Sequence, residues 1–328
     1  MPSEALEREG NSAKGGFSLL PATAAGWAWF AAKLAFSAGL LAFALSRVDV
    51  ASALAAAKDM APAPLAAAMA CVVVSVFLVA LRWRLLLRAE APLPYRQVTS
   101  IVFTSQFVGQ VLPAGVGQDA VRVWLATRAK APLAAALSSI VLDRLCGMIA
   151  LVALILVGAP RLAALGGAAQ TQAAAATVGL FALAVAIVIA CLLAFPPPGG
   201  LPRRIEALWL RARLSARQLC SPAGLAAAGV SLGVHAVLVL AMWLIALGVG
   251  AKPSLLDAFA AVPPAIFLSM LPISVNGWGV REGVLVLSLG LAGVSAPLAL
   301  LTSLLFGLAM LITSLPGAAI LLAARRAP

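Results

Sequence analysis

Long apolar runs separated by short polar, arginine-bearing connections dominate the chain. Six of them reach the roughly 20 residues needed to cross a bilayer: Trp27–Leu45, Leu65–Leu87, Leu133–Gly158, Ala173–Phe195, Ala223–Leu247 and Pro297–Leu322. Two more apolar stretches are interrupted. Val98–Leu112 runs into Pro113-Ala114-Gly115-Val116-Gly117, and Leu255–Leu271 contains Pro263-Pro264 before meeting Pro272-Ile273-Ser274-Val275-Asn276-Gly277 and resuming at Trp278–Gly290. Pro and Gly at that density open a helix, and open backbone at membrane depth persists only where protein or a wet cavity satisfies it. The pattern predicts an all-α polytopic membrane protein of six full spans plus two re-entrant hairpins. Counting the second interrupted stretch as two short spans gives eight. The polar stretch from about Pro196 to Pro222 reads as a loop.

Composition agrees. Of 328 residues, 63% are hydrophobic and only 10% charged, too few to coat a soluble globule. The net charge of +12 resides in loops, where it sets orientation and meets anionic headgroups, so nucleic acid is not an expected partner. One side collects Arg82, Arg84, Arg88, Arg128, Lys130 and the arginines between Arg203 and Arg217, while the other has only Arg47, Lys58, Arg161 and Lys252. This bias puts both termini in the cytoplasm, with residues 1–26 and 324–328 as tails flanking a single membrane domain over 27–323. A bacterial-type inner membrane fits that topology. Cys71, Cys146, Cys191 and Cys220 show neither disulfide nor zinc spacing, and His235 is the only histidine, so no cofactor or metal is expected.

The offset that lays Arg122 on Arg281 also lays Pro113 on Pro272 and superimposes the second, third and interrupted stretches on the fifth, sixth and second interrupted ones. The first and fourth spans follow after a gap. Half-repeats of roughly 27–165 and 166–323, each with an odd number of spans, have opposite topology. Paired broken segments in inverted halves point to a transporter's midplane site.

Charges within apolar segments are costly and are functional candidates by default. Lys33 sits early enough to snorkel. Asp119 and Arg122 follow the first break at i, i+3 and share a helix face, as a local ion pair or as ligands. Asp143 and Arg144 lie about 15 Å into the third span at 1.5 Å per residue and point to different neighbours. Arg281 and Glu282 follow the second break. Arg122, Arg144 and Arg281 suit bidentate binding of a phosphate. Asp119, Asp143 and Glu282 would balance them or carry a coupling proton, unless the whole set is a structural charge network. Asn276, Ser274 and Gln118 could satisfy open backbone or a headgroup. His235 reads as a core residue or a proton relay.

Three blocks then carry a resemblance: Phe107-Val-Gly-Gln-Val-Leu-Pro-Ala-Gly-Val-Gly-Gln-Asp-Ala-Val-Arg122, Val141-Leu-Asp-Arg-Leu-Cys-Gly147, and Leu271-Pro-Ile-Ser-Val-Asn-Gly-Trp-Gly-Val-Arg-Glu-Gly283. In order and spacing they resemble the flippase-like membrane domain of lysylphosphatidylglycerol synthases, over about residues 27 to 323. The first block departs from the usual pattern, which has Asn near Gly109 and Gly at Gln118. Bifunctional members carry a soluble aminoacyl-transferase domain after the membrane part. With the chain ending at Pro328, the resemblance implies a stand-alone translocase domain rather than an enzyme. Its expected partners are membrane lipids and a lipid-biosynthesis enzyme, and an oligomer is compatible. An accessory subunit of lipid or glycan biosynthesis and an intramembrane lipid transferase are the alternatives.

Overall fold

The computed structural model describes residues 50–88, 90–111, 117–167, 203–270 and 277–326, with isolated positions elsewhere. Every regular element among them is a helix: α1 (Val50–Lys58), α2 (Pro62–Leu87), α3 (Tyr95–Val111), α4 (Gly117–Arg128), α5 (Leu133–Leu162, passing into a π turn at Ala163–Gly167), α6 (Arg203–Leu219), α7 (Pro222–Gly248), α8 (Leu255–Ser269), α9 (Val280–Leu291) and α10 (Ala296–Arg326). Among the described residues, α2, α5, α7 and α10 are long and apolar enough to cross a membrane, and α8 is a shorter apolar helix. The expected spans Trp27–Leu45 and Ala173–Phe195, with Lys33, lie outside the described residues.

Helix starts follow local chemistry. Pro62 and Pro222 stand in the first turn, where the N–H they lack has no helical partner. Ser221 accepts from the Gly224 N–H, and Ser254 with Asp257 closes a capping box at the head of α8. Two expectations need correction. The stretch read as a loop folds as α6, because its apolar residues recur at helical spacing: Leu219 is buried with Leu86, Leu142, Cys146 and Ala227, and Ala216, one turn before it, is buried as well. Pro263-Pro264 does not open α8, which continues to Ser269. The carbonyls that this proline pair frees belong to Phe259 and Ala260, and there Gly158 of α5 comes so close that a Cβ on it would lie 2.8 Å from the Ala260 Cα.

Helices α2 and α7 run antiparallel along their length. The Ala61 N–H donates to the Gly248 carbonyl at one end (2.9 Å), and the Gln218 side-chain amide donates to the Leu86 carbonyl at the other. Helices α3 and α4 form a hairpin whose mouth, through Ala126 and Ala131, packs with Leu87 and Ala91 beyond the end of α2. Helices α8 and α9 form a second hairpin, tied by Ser288 Oγ donating to the Ala261 carbonyl (3.1 Å), which opens beside the end of α7. Helix α3 packs along α10, and α8 packs along α5. The offset that relates the halves exchanges these two contacts. It also lays Gly158 on Gly317, whose own missing side chain admits the Phe103 carbonyl of α3. Small residues at such crossings let membrane helices approach closely.

Candidate functional site

Both hairpins present an arginine within the first two turns of their returning helix, and each arginine is met by a long helix. In the first half, Arg122 of α4 faces α5. Asp143 accepts from Arg82 of α2 through both oxygens, Nε to Oδ1 at 2.6 Å and Nη2 to Oδ2 at 2.9 Å, and from Arg122 Nη1 at 3.1 Å. Arg82 Nη1 also donates to Ser231 Oγ (3.3 Å), and Arg122 Nε to Ser105 Oγ (3.3 Å). The Arg122 guanidinium lies 5.5 Å from the centre of the Trp83 ring. Gly147 gives this network its space: a Cβ there would stand 3.2 Å from Arg82 Nη1. His235 Nε2 donates to the Gly147 carbonyl at 3.1 Å, while its Nδ1 is buried without a partner.

The next residue turns the other way. Arg144 grips Asp119 of α4 with two parallel bonds, Nε and Nη2 each at 2.9 Å. This pair is open, with the Arg144 side chain 40% exposed and that of Asp119 19%, whereas Asp143 behind it is 3% exposed. On α5, Arg144 shares a face with Leu133, Leu137 and Val141, all exposed. A salt bridge therefore interrupts an otherwise apolar exposed stripe. Arg82, Arg122 and Arg144 against Asp119 and Asp143 leave one positive charge in excess.

The second half is built differently. Arg281 Nη2 donates to Glu282 Oε1 at 2.7 Å and Arg281 Nε to Ser303 Oγ at 3.0 Å, while Ser303 Oγ donates to the same carboxylate at 2.8 Å. The other Glu282 oxygen accepts from the N–H of Gly279, whose φ of 85° turns the chain into α9. Arg281 lies 5.1 Å from the Trp278 ring and 5.5 Å from Phe306. The pair is neutral and shut in, at 8% and 0% exposure.

Four of the expected site residues, Asp119, Arg122, Asp143 and Arg144, thus meet in one place, while Arg281 and Glu282 form a separate pair. Asn276 lies outside the described residues, and Ser274 is buried with its hydroxyl unpartnered. Asp119 and Arg122 do not close on each other as a local pair; each reaches α5. Asp143 and Arg144 serve different neighbours, as their helical spacing requires. Arg82 belongs to this network too: its place near the end of a span reads as that of an orientation-setting cation, and its burial corrects that. The signal was its register, seven residues after buried Ser75 on the packed face of α2. Among the described residues no group of His, Cys, Asp and Glu is gathered for a metal.

The family model for the lysylphosphatidylglycerol synthase TM region matches residues 30–317, nearly the whole of this architecture. The chain belongs to that family. No curated protein and no solved structure matches it. Family membership and the apolar helices make this a membrane-embedded protein with a lipid-related role.

Proposed function

We propose that the chain moves a phospholipid or related anionic amphipathic lipid between leaflets, without chemical change to it. The observation that carries this reading is the Asp119–Arg144 pair, half open on the apolar stripe of α5 with buried Arg122 behind it. A charged pair on an apolar face about 15 Å along a helix is costly in hydrocarbon. A lipid headgroup arriving laterally gives it a use. Arg144 exchanges the two oxygens of Asp119 for two phosphate oxygens in the same bidentate geometry, and the surplus positive charge offsets the headgroup. The acyl chains stay beside Leu133, Leu137 and Val141.

The topology supports the same reading. Helices α3, α4, α8 and α9 have 17, 12, 15 and 12 residues. At 1.5 Å per residue each falls short of a bilayer core of about 30 Å. We read both hairpins as re-entrant from opposite faces of an inverted repeat, with the basic end carrying Arg84, Arg88, Arg128 and Lys130 in the cytoplasm of a bacterial-type inner membrane. Rocking of the halves about the α2–α7 contact would expose the site alternately.

A non-transporting accessory role has one observation in its favour. Asp143 and Glu282 are saturated by protein donors, as a purely structural network would require. Leaflet exchange of headgroup-labelled lipids in proteoliposomes separates the two. Translocation predicts exchange above empty vesicles that Arg144→Gln abolishes in a folded protein. No exchange of any anionic, zwitterionic or isoprenoid lipid would transfer the case to the accessory role, and exchange surviving Arg144→Gln would remove the site from the path.

A further inference from the structure

Helix α6 has two faces, and the bundle uses only one. Leu219 is buried against α2, α5 and α7, and Ala216, one turn earlier, is buried as well. On the other side Leu210 and Leu214, one turn apart, are 44% and 64% exposed. Exposed Arg211 and Arg217 flank them. Two leucines in water would be a poor surface, and the helix is too polar to be a span. Leucines ringed by arginines are the composition of a helix lying in a headgroup layer, where apolar side chains dip below the phosphates and the guanidiniums meet them.

The position of α6 matches that layer. The Gln218 amide holds the Leu86 carbonyl at the end of α2, so α6 lies level with exposed Arg88, at the end of the bundle that collects basic residues. Ser221, directly after α6, caps α7. The helix is therefore fastened to the ends of α2 and α7, the two helices whose Arg82 and Ser231 meet in the buried network.

We propose that the outer face of α6 is a docking surface for an anionic phospholipid leaflet, with Leu210 and Leu214 inserted among the acyl-chain roots and Arg211 and Arg217 on headgroup phosphates. This holds whether or not the chain translocates lipid. Its consequence is that the charge of the leaflet fixes the ends of α2 and α7.

The test places an environment-sensitive fluorophore at Leu214→Cys in the full chain with its native cysteines replaced, in nanodiscs of phosphatidylcholine with or without phosphatidylglycerol. Docking predicts a blue-shifted emission, quenched by lipid-borne quencher, in the phosphatidylglycerol discs and reversed by high salt. Each arginine at the surface contributes about 1 kcal/mol, or roughly five-fold. Arg211→Gln with Arg217→Gln then lowers the docked-to-free ratio by roughly 25-fold. A fluorophore that remains in water in both discs overturns the proposal and leaves the face to an acidic protein partner. Burial that is equal in both discs and indifferent to the two glutamines overturns it as well, reducing the face to apolar packing. Leu210→Cys, one turn away, repeats the reading if the first label disturbs the fold.

Discussion

The two halves place an arginine at the same register of the same hairpin and then treat it in opposite ways. Arg281 meets a carboxylate from the adjacent residue, a serine and two aromatic rings, and the resulting neutral pair is sealed. Arg122 leaves Asp119 of its own helix to Arg144 and borrows Asp143 from α5, which Arg82 of α2 also claims. Three helices are joined by one carboxylate, and Asp119 is left free to hold Arg144 at an open edge. Positions that the sequence offset makes equivalent thus diverge, because the placement of the acids decides whether each becomes a closed clamp or an accessible cation.

The sharpest way to break this contrast on stability is Asp143→Asn. It leaves two buried guanidiniums without a counter-charge, and breaking a buried pair costs about 3–5 kcal/mol. The expected result is a large fall in the thermal unfolding temperature of the detergent-solubilised protein, with loss of lipid exchange. Glu282→Gln strands only one arginine and keeps acceptor oxygen for Ser303, so its fall should be measurably smaller. A larger loss there would invert the ranking of the two sites.

Next comes the space around each arginine. Gly307→Ala puts a Cβ 2.7 Å from Arg281 Nη2 and from the Trp278 ring, whereas Gly147→Ala meets Arg82 Nη1 at 3.2 Å. Overpacking of this kind costs about 1–3 kcal/mol. Unfolding should show a clear loss for Gly307→Ala and a lesser one for Gly147→Ala. The smallest effect on stability belongs to Arg144→Gln, because a partly exposed ion pair contributes about 0–1 kcal/mol. Its unfolding temperature should stay near wild type while lipid exchange falls at least about ten-fold, as loss of a charge-assisted contact of about 1.5–3 kcal/mol implies.

Much of this was legible in the sequence, for identifiable reasons. Long apolar runs gave α2, α5, α7 and α10 nearly to their ends, since composition alone separates a spanning helix from a loop. Adjacent helical residues diverge, so Asp143 and Arg144 had to find separate partners. Arg82 escaped because a cation near the end of a span looks like an orientation signal, and only the packed face of α2 distinguishes it from exposed Arg88. Helix α6 escaped because five arginines hide the spacing of Ala216 and Leu219 when polarity is averaged. Pro263-Pro264 misled because proline's missing N–H matters less where a glycine of α5 lets the backbone be covered.

The central claim is that the open cation, and not the sealed one, meets the lipid. The most direct test is the initial rate of leaflet exchange in proteoliposomes for Arg144→Gln beside the double variant Arg281→Gln/Glu282→Gln, which removes the second pair without leaving a lone charge. The account predicts that the double variant, once folded, retains most of the wild-type rate and Arg144→Gln loses it. Exchange that persists in Arg144→Gln and vanishes in the double variant would contradict it.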